Sequence, residues 1–230
     1  MFAPGKVLRC GGDDPSGFDT ASRLAAMIDL SNWQDGQPAS WQTAAPMNRP
    51  RRDHNLIPLP GGLVLAIGGQ ATKDYSQPVM TPEVFDTANP TALWVDWDAP
   101  PDPSFDPRMY HSTAILLPSG EILVAGGQKT ISTTYPSGDI YTPPVIANES
   151  ERPVINNSPA SIQYGAQFSM TATPFAGRTI TGICLMSLGC VNHGLDQHAR
   201  RVPLAFSQSG LGGYDVVASP NANHAPPGYY

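Results

Sequence analysis

The sequence is poor in charge and in long apolar runs, and each shortage excludes a class of protein. Charged residues make up 14% of the 230 positions, and the net charge is −6. This balance excludes the basic surface that binds nucleic acid. Since no apolar run approaches the roughly 20 residues of a membrane-spanning helix, a membrane protein is not expected either. The first residues, MFAPGKVLRCGG, lack the basic and apolar regions of a signal peptide.

Cysteine is scarce as well, with three residues at positions 10, 184 and 190. An odd number of cysteines does not make a disulfide framework. Cys184 and Cys190 are close enough in sequence to pair across a hairpin, but buried free thiols explain them equally well. The redox compartment is therefore left open.

The motifs of the common enzyme classes are also absent. The sequence has no HExxH, CxxC or GxSxG motif, no phosphate-binding loop and no strand–GxGxxG–helix unit. Metal ligation by histidine is then the first function to test, because imidazole suits copper, zinc and iron. The five candidates are His54, His111, His193, His198 and His224.

Turn residues and short apolar segments dominate what remains, which favours an all-β fold. The sequence contains 22 glycines and 25 prolines. A turn, an apolar run and a Gly-Gly pair occur together three times, at 5–12 (GKVLRCGG), 60–70 (PGGLVLAIGGQ) and 118–128 (PSGEILVAGGQ). The pairs recur every 57 or 58 residues (68 − 11 and 126 − 68). A fixed period near 50 residues indicates a propeller or a solenoid.

Each copy predicts one blade of a kelch-type β-propeller. Two strands flank a two-residue turn at Gly61-Gly62 or Ser119-Gly120, and the second strand is apolar enough to be buried on both faces. The Gly-Gly pair allows close backbone approach near a crowded axis. Residues 25–30 are predicted as a further blade strand, and four tryptophans are expected to pack between blades: Trp33, Trp41, Trp94 and Trp97. Three copies cannot close a ring, so we expect an incomplete propeller over residues 1–140.

The character of the sequence changes near residue 140. Short segments with strand-like alternation follow, separated by glycine, proline and asparagine turns: 160–164, 166–173, 178–188, 202–207 and 213–218. Strands at this spacing predict an immunoglobulin-like β-sandwich over residues 141–230, in truncated form. The start of the chain resembles the middle of a β-protein, and the end, HAPPGYY, stops where a strand would begin, so we expect a piece of a longer protein.

Two places attract attention as candidate sites. Tyr110-His111 occupies the place of Asp53-His54 when the third copy is aligned with the second. Because adjacent strand residues point to opposite faces, both members of the pair reach one metal only where the strand ends or twists. His54 is better explained as a structural histidine that hydrogen-bonds a neighbouring blade. His193 lies in a polar loop, where a solvated side chain is the commoner outcome.

Several segments resemble, in the same order, those of the galactose oxidase and glyoxal oxidase family of copper-radical oxidases. They are PRMYHSTAILLPSGEILVAGG, ERPVI, HGLDQHARRVPL and APPGYY, beginning at residues 107, 151, 193 and 225. Together they span nearly the whole chain. The chain resembles the C-terminal part of such an oxidase, with the last propeller blades followed by the immunoglobulin-like domain.

The resemblance implies a copper(II) site that oxidises a primary alcohol or an aldehyde with O2 and gives H2O2. Tyr110 would be the axial ligand and base, and His111 and His193 the equatorial ligands. In the family a tyrosine joined to a cysteine by a thioether carries a radical. No matching motif is found here, and Cys10 is not in the family's cysteine context. The resemblance further implies a secreted protein, and a small alcohol, aldehyde or sugar as substrate.

An alternative is a non-catalytic kelch and immunoglobulin-like module that binds carbohydrate or protein. The presence of Tyr110, His111 and His193 favours descent from an enzyme. The missing radical site favours the binding module for this polypeptide by itself, with the missing N-terminal blades as a possible partner. Copper content distinguishes the two hypotheses.

Overall fold

The computed structural model describes residues 1–100, 102, 104–148, 152–175 and 177–230, without the side chain of Phe18. The described residues form antiparallel strands and one 3-10 turn at Pro144–Ile146. The predicted all-β fold is therefore confirmed. Among the same residues, no helix has the length and apolar character needed to cross a membrane.

The N-terminal region contains twelve strands. They are β1 Lys6–Cys10, β2 Asp13–Asp14, β3 Gly17–Ala21, β4 Ala25–Asp29, β5 Gln42–Ala44, β6 Asn55–Pro58, β7 Leu63–Ile67, β8 Glu83–Asp86, β9 Val95–Asp96, β10 Ser112–Leu116, β11 Ile122–Gly126 and β12 Gly138–Tyr141. Three consecutive sheets arise from them, ordered β1-β4-β5, β6-β7-β8-β9 and β10-β11-β12, and we call these blades 1, 2 and 3. Each blade holds one Gly-Gly copy, directly after β1, after β7 or at the end of β11. The predicted strand at 25–30 is confirmed as β4, and the described blades do not close into a ring.

The hairpin turns differ by one residue from the prediction. In blade 2 the Leu59 N–H donates to the Leu63 carbonyl at 2.8 Å, and the Gly62 N–H donates to the Leu59 carbonyl at 3.0 Å. Gly62 has φ 86°. This is a three-residue loop, a turn followed by a left-handed glycine, rather than the predicted two-residue turn. Glycine is required at its last position because that position has positive φ.

The apolar core lies between successive blades. One cluster joins blade 1 to blade 2 and includes Met47, Ala66, Phe85 and Trp94, all buried. A second cluster joins blade 2 to blade 3, and Trp97 packs against it. The predicted packing is thus confirmed for Trp94 and Trp97. It is wrong for Trp33 and Trp41, which are exposed.

The Gly-Gly pairs allow adjacent blades to approach closely, as predicted. Gly68 has φ 70°, and a Cβ added there would lie 2.5 Å from the carbonyl oxygen of Arg108 in the next blade. The neighbouring Gly69 N–H donates to that same carbonyl at 2.6 Å. Gly12 makes the equivalent contact with the Arg51 carbonyl at 2.8 Å. A side chain at position 68 would therefore separate the blades.

In each of blades 2 and 3, a buried arginine forms an ion pair with the third strand of its own blade. The fully buried Arg51 guanidinium donates to Glu83 Oε1 at 2.7 and 3.0 Å and to the Gly68 carbonyl at 2.8 Å. Arg108 repeats the arrangement with Asp139 and the Gly126 carbonyl. Burial lowers the pKa of Arg51, and the Glu83 carboxylate opposes that effect. The ion pair joins the segment before the first strand to the third strand of its blade.

The C-terminal region contains eight strands. They are β13 Val154–Asn157, β14 Gln167–Thr173, β15 Ile183–Met186, β16 Val191–Asn192, β17 Leu195–Asp196, β18 Arg201–Leu204, β19 Phe206–Gly210 and β20 Gly213–Val217. The sheets β13-β14-β20-β19 and β15-β18 enclose a separate apolar cluster around Met170, Val202 and Val216. The prediction of a strand at 160–164 is wrong, and of the strand predicted at 178–188 only Ile183–Met186 (β15) forms a strand. The strand predicted at 202–207 is two strands separated at Ala205, and β13 was not predicted. The division at residues 140 and 141 stays a prediction.

The small hairpin β16–β17 leaves the C-terminal sheets and lies against the blades. β16 contacts β10, and β17 contacts β6, the first strands of blades 3 and 2. The approach is close, because a Cβ on Gly194 would lie 2.8 Å from the His54 carbonyl oxygen. The hairpin therefore brings the loop around His193 to the start of both blade strands.

Candidate metal centre

Blade 3 has one more residue than blade 2 in front of its first strand. Asn55 pairs with Ile67, whereas Ser112 pairs with Gly126, one position further along the Gly-Gly copy. The Gln70 N–H donates to the Arg52 carbonyl, and the Gln128 N–H donates to that of Tyr110. Tyr110 therefore occupies the position of Arg52, and His111 that of Asp53. The predicted equivalence of His111 with His54 is wrong, because the extra residue, the buried Met109, shifts the register.

His54 has the structural role that was predicted for it. It is buried, and its Nε2 lies 3.5 Å from the Sγ of Cys10 in blade 1. Burial, assisted by the Arg51 charge, lowers the pKa of His54 to about 3. Burial also raises the pKa of the Cys10 thiol. Both groups are therefore neutral at pH 7.

Tyr110 and His111 face the same point because the strand begins only after them. β10 begins at Ser112, and His111 has the left-handed backbone, with φ 65°. The two rings stack with centroids 3.8 Å apart and planes inclined at 28°. The alternation of a regular strand would have placed them on opposite faces. The sequence analysis required the strand to end or twist at this pair, and this condition is met because Tyr110 and His111 lie just outside β10.

His193 occupies the turn of the β16–β17 hairpin. His193 and Gly194 both have positive φ, 54° and 76°. This is the geometry of a type I′ turn, which usually selects asparagine or glycine. The Asp196 carboxylate accepts three backbone N–H groups, from Cys190, His198 and Ala199, at 2.8 to 3.0 Å. These bonds fix the loop that presents the imidazole.

The two imidazoles meet across the two parts of the chain. Nε2 of His111 and Nε2 of His193 lie 3.0 Å apart, and the ring of Tyr110 lies 5.6 Å from that of His193. Two nitrogens bound at about 2.0 Å and at right angles to one metal are about 2.8 Å apart. The observed spacing fits two neighbouring ligands of one ion, and it is also that of an N–H···N hydrogen bond between the two rings. Among the described residues, no three His, Cys, Asp or Glu side chains form a metal-binding group, and the ring nearest to the two imidazoles is that of Tyr110, stacked on His111.

Comparison with known proteins identifies the family. Residues 2–143 match the family model "Glyoxal oxidase N-terminus", and residues 152–230 match "Galactose oxidase-like, Early set domain". The chain belongs to the galactose oxidase and glyoxal oxidase family of copper-radical oxidases. The resemblance found in the sequence is thereby confirmed.

The relatives are distant but cover nearly the whole chain. A putative aldehyde oxidase of Artemisia annua, Art an 7, is 27% identical over 98% of this chain and 42% of its own length. Galactose oxidase of Gibberella zeae is 28% identical over 98% of this chain and 33% of its own length. A fungal alcohol oxidase of the AA5 family, solved with copper, has a TM-score of 0.83 at 23% identity, over 99% of this chain and 48% of that one. At that identity the likeness shows the fold alone, and this family member spans between a third and a half of these relatives.

Around the histidines of this family member lie residues that the sequence analysis missed. Four non-glycine residues of the described chain have positive φ: Asp53, Tyr75, His111 and His193. The Tyr75 hydroxyl donates to Gln128 Oε1 at 2.5 Å, and Asp53 accepts from Gln70 at 2.9 Å. Burial raises the pKa of Tyr75, and Asp53 and Tyr110 add to the effect. Strained backbone concentrates at functional sites. In the sequence, the only pattern that indicated these residues was the glutamine after the second and third Gly-Gly pairs, because Gln70 contacts Asp53 and Gln128 contacts Tyr75.

The cysteines take no part in the cluster of Tyr110, His111 and His193. All three are free, and Cys190 is exposed. The Cys184 thiol lies 3.7 Å from the carbonyl oxygen of Pro60. Cys184 and Cys190 are therefore free thiols, as one of the two alternatives had it, but they are not buried as that alternative expected, because Cys184 is half-buried and Cys190 exposed.

Proposed function

We propose that Tyr110, His111 and His193 are copper ligands of an oxidase that converts a primary alcohol or an aldehyde with O2 and releases H2O2. The observation that supports this most directly is the 3.0 Å between the two imidazole Nε2 atoms. For an alcohol the balance is RCH2OH + O2 → RCHO + H2O2. Family membership supports the reaction class, whereas the ligand roles rest on geometry and on the resemblance.

The three side chains suit the chemistry assigned to them. Two imidazole nitrogens and a phenol oxygen form the N,O set that copper(II) prefers, and bound copper supplies a one-electron redox centre. A phenol with a pKa near 10 is a poor base in water, but a coordinated phenol exists as the phenolate. Tyr110 can then accept the hydroxyl proton of a bound alcohol. The proton would thus pass from the substrate oxygen to the phenolate oxygen of Tyr110.

For this chain by itself we propose weak copper binding and no turnover. The family's radical-bearing tyrosine and cysteine are not assigned to any residue here, so the second oxidising equivalent has no known place. Strands β1 and β12 are edge strands of blades 1 and 3, and exposed edges promote association with other chains. The full oxidase, with further blades, is the proposed active form. Secretion also stays a prediction from the resemblance.

One observation favours the alternative of a carbohydrate-binding module. A groove of about 760 Å³ runs across one loop of each blade, and hydroxyl and charged side chains, one tyrosine and one isoleucine line it with a mostly apolar exposed surface. They include Asp19, Thr72, Asp74 and Tyr75. Such walls offer hydrogen bonds and an aromatic face to a sugar. A sugar that binds in this groove with Tyr110 and both histidines replaced would support the module.

The test is copper binding by the purified chain. We expect one copper whose electron paramagnetic resonance spectrum shows two equatorial nitrogens, and their loss in His111→Ala and His193→Ala. The exposed His198→Ala is the matched control and should keep the spectrum. Peroxide is then assayed with galactose and with simple aldehydes. A spectrum unaffected by either ligand substitution would contradict the proposal, and robust peroxide that persists in Tyr110→Phe would contradict the role of Tyr110.

A further inference from the structure

The geometry points to Asn192 as a positioning residue that fixes the ring orientation and the tautomer of His193. The Oδ1 atom of Asn192 lies 2.5 Å from Nδ1 of His193. An amide oxygen has only lone pairs to offer, so the imidazole must contribute the proton of this hydrogen bond. The inference rests on the proposed function for its purpose, because the same His193 is there a metal ligand.

The direction of this bond determines what the other ring nitrogen presents. A neutral imidazole has one N–H and one lone pair. With the proton held on Nδ1, the lone pair lies on Nε2, the atom that is 3.0 Å from Nε2 of His111. Metal-ligating histidines regularly donate their second N–H to a fixed acceptor, which orients the ring. Asn192 is therefore placed as that acceptor.

The local backbone explains why two sequence neighbours meet. Asn192 is the last residue of β16, and His193, with φ 54°, is the first central residue of the turn. Both side chains are exposed, so without a protein acceptor water would bond Nδ1. The contact of Nε2 with His111 forms with the proton on either ring, so it would not by itself select one tautomer of His193. The Asp196 carboxylate accepts only backbone N–H groups of the loop, so it orders the main chain and not the ring.

The test uses the whole chain with three substitutions. Asn192→Ala removes the acceptor, Asn192→Asp keeps one, and Gln197→Ala changes an exposed side chain of the same loop as a control. Nitrogen-15 shifts of the His193 ring, recorded without metal at a pH where the imidazole is neutral, report the tautomer. We expect a lone pair on Nε2 in the unmodified chain, in Asn192→Asp and in Gln197→Ala, and mixed tautomers in Asn192→Ala.

Copper affinity gives the second readout. Loss of such an acceptor typically lowers metal affinity by about 10- to 100-fold. We expect a loss in that range for Asn192→Ala, at unchanged unfolding temperature, with affinity restored in Asn192→Asp. An unchanged tautomer and unchanged affinity in Asn192→Ala would overturn the inference and leave the proposed function intact. If the unmodified chain does not bind copper through His111 and His193, the proposed function fails, and the metal-free shifts still decide the role of Asn192.

Discussion

Nε2 of His111 and Nε2 of His193 lie 3.0 Å apart although 82 positions separate the two residues in the sequence. One imidazole precedes the first strand of blade 3, and the other occupies the turn of the β16–β17 hairpin. At the proposed copper site the two nitrogens would act as a unit, because loss of one leaves only a single imidazole to hold the metal. Their contributions should therefore be strongly non-additive.

We accordingly expect His111→Ala and His193→Ala each to weaken copper binding by more than about 100-fold, since loss of a ligand exceeds the cost of losing a ligand's partner. The double variant should be only slightly weaker than either single variant. Competition titration against a chelator of known affinity measures all three. A double variant as weak as the product of the two single effects would indicate two separate sites.

The buried ion pair of blade 2 should dominate its stability. Glu83 Oε1 accepts from Arg51, and both side chains have no exposed surface. Glu83→Gln leaves the Arg51 charge buried without a partner, which should lower the free energy of unfolding by about 3–5 kcal/mol. The exposed pair of Arg49 with Asp96 is the control, and Asp96→Asn should cost about 1 kcal/mol or less. Chemical denaturation of both variants checks the prediction, and equal losses would contradict it.

Alanine substitutions at two glycines with positive φ, Gly12 and Gly68, distinguish the cost of backbone strain from the cost of a steric clash. Gly68→Ala would place a Cβ 2.5 Å from the Arg108 carbonyl oxygen, whereas a Cβ at Gly12 would meet nothing within 4 Å. Gly12→Ala should therefore cost only the left-handed conformation, about 1–2 kcal/mol. Gly68→Ala should cost clearly more, because blade 3 has to move. Similar unfolding midpoints for the two variants would show that the blades do not approach closely in solution.

His54 should make the chain sensitive to mild acid. Its folded-state pKa is lowered to about 3 by burial, so between pH 6.5 and 3 the unfolded chain takes up a proton that the folded chain does not. As the pH is lowered through this range, the free energy of unfolding should decrease by up to about 1.4 kcal/mol per pH unit because of this group. Urea midpoints between pH 7 and 5 should fall more steeply for the unmodified chain than for His54→Gln. His198→Gln, at an exposed histidine, should keep the slope of the unmodified chain.

The repeat was the strongest feature of the sequence, and it predicted blades 2 and 3 because the second and third copies each contain their own strand pair, whereas the first copy supplies β1 alone. Individual C-terminal strands were harder to predict. Residues 160–164 alternate as a strand would, yet they are exposed and pair with no strand of the described residues. Alternation records which face is apolar, whereas a strand also needs a partner at hydrogen-bonding distance, and that partner is distant in sequence.

The candidate metal centre was even harder to predict from local sequence patterns than the C-terminal strands. Similar letters around His54 and His111 suggested equivalence, but one inserted residue, Met109, moved His111 out of the buried position that His54 occupies. His193 has no periodic signal, and it was singled out from the other candidate histidines as a ligand only through the family resemblance. Asn192, Asp53 and Tyr75 were missed because their importance comes from backbone angles and contacts that no local pattern encodes.

The contact of the β16–β17 hairpin with β6 and β10 determines the order in which the proposed copper site would assemble. The histidine pair does not exist in either part of the chain separately, so at the proposed copper site metal uptake would follow docking of the C-terminal sheets. A metal that binds only the docked form stabilises it by mass action, which makes assembly depend on metal supply. A substitution that disturbs docking without touching a ligand, such as Gly194→Ala against the His54 carbonyl, should therefore appear first as a metal-deficient protein.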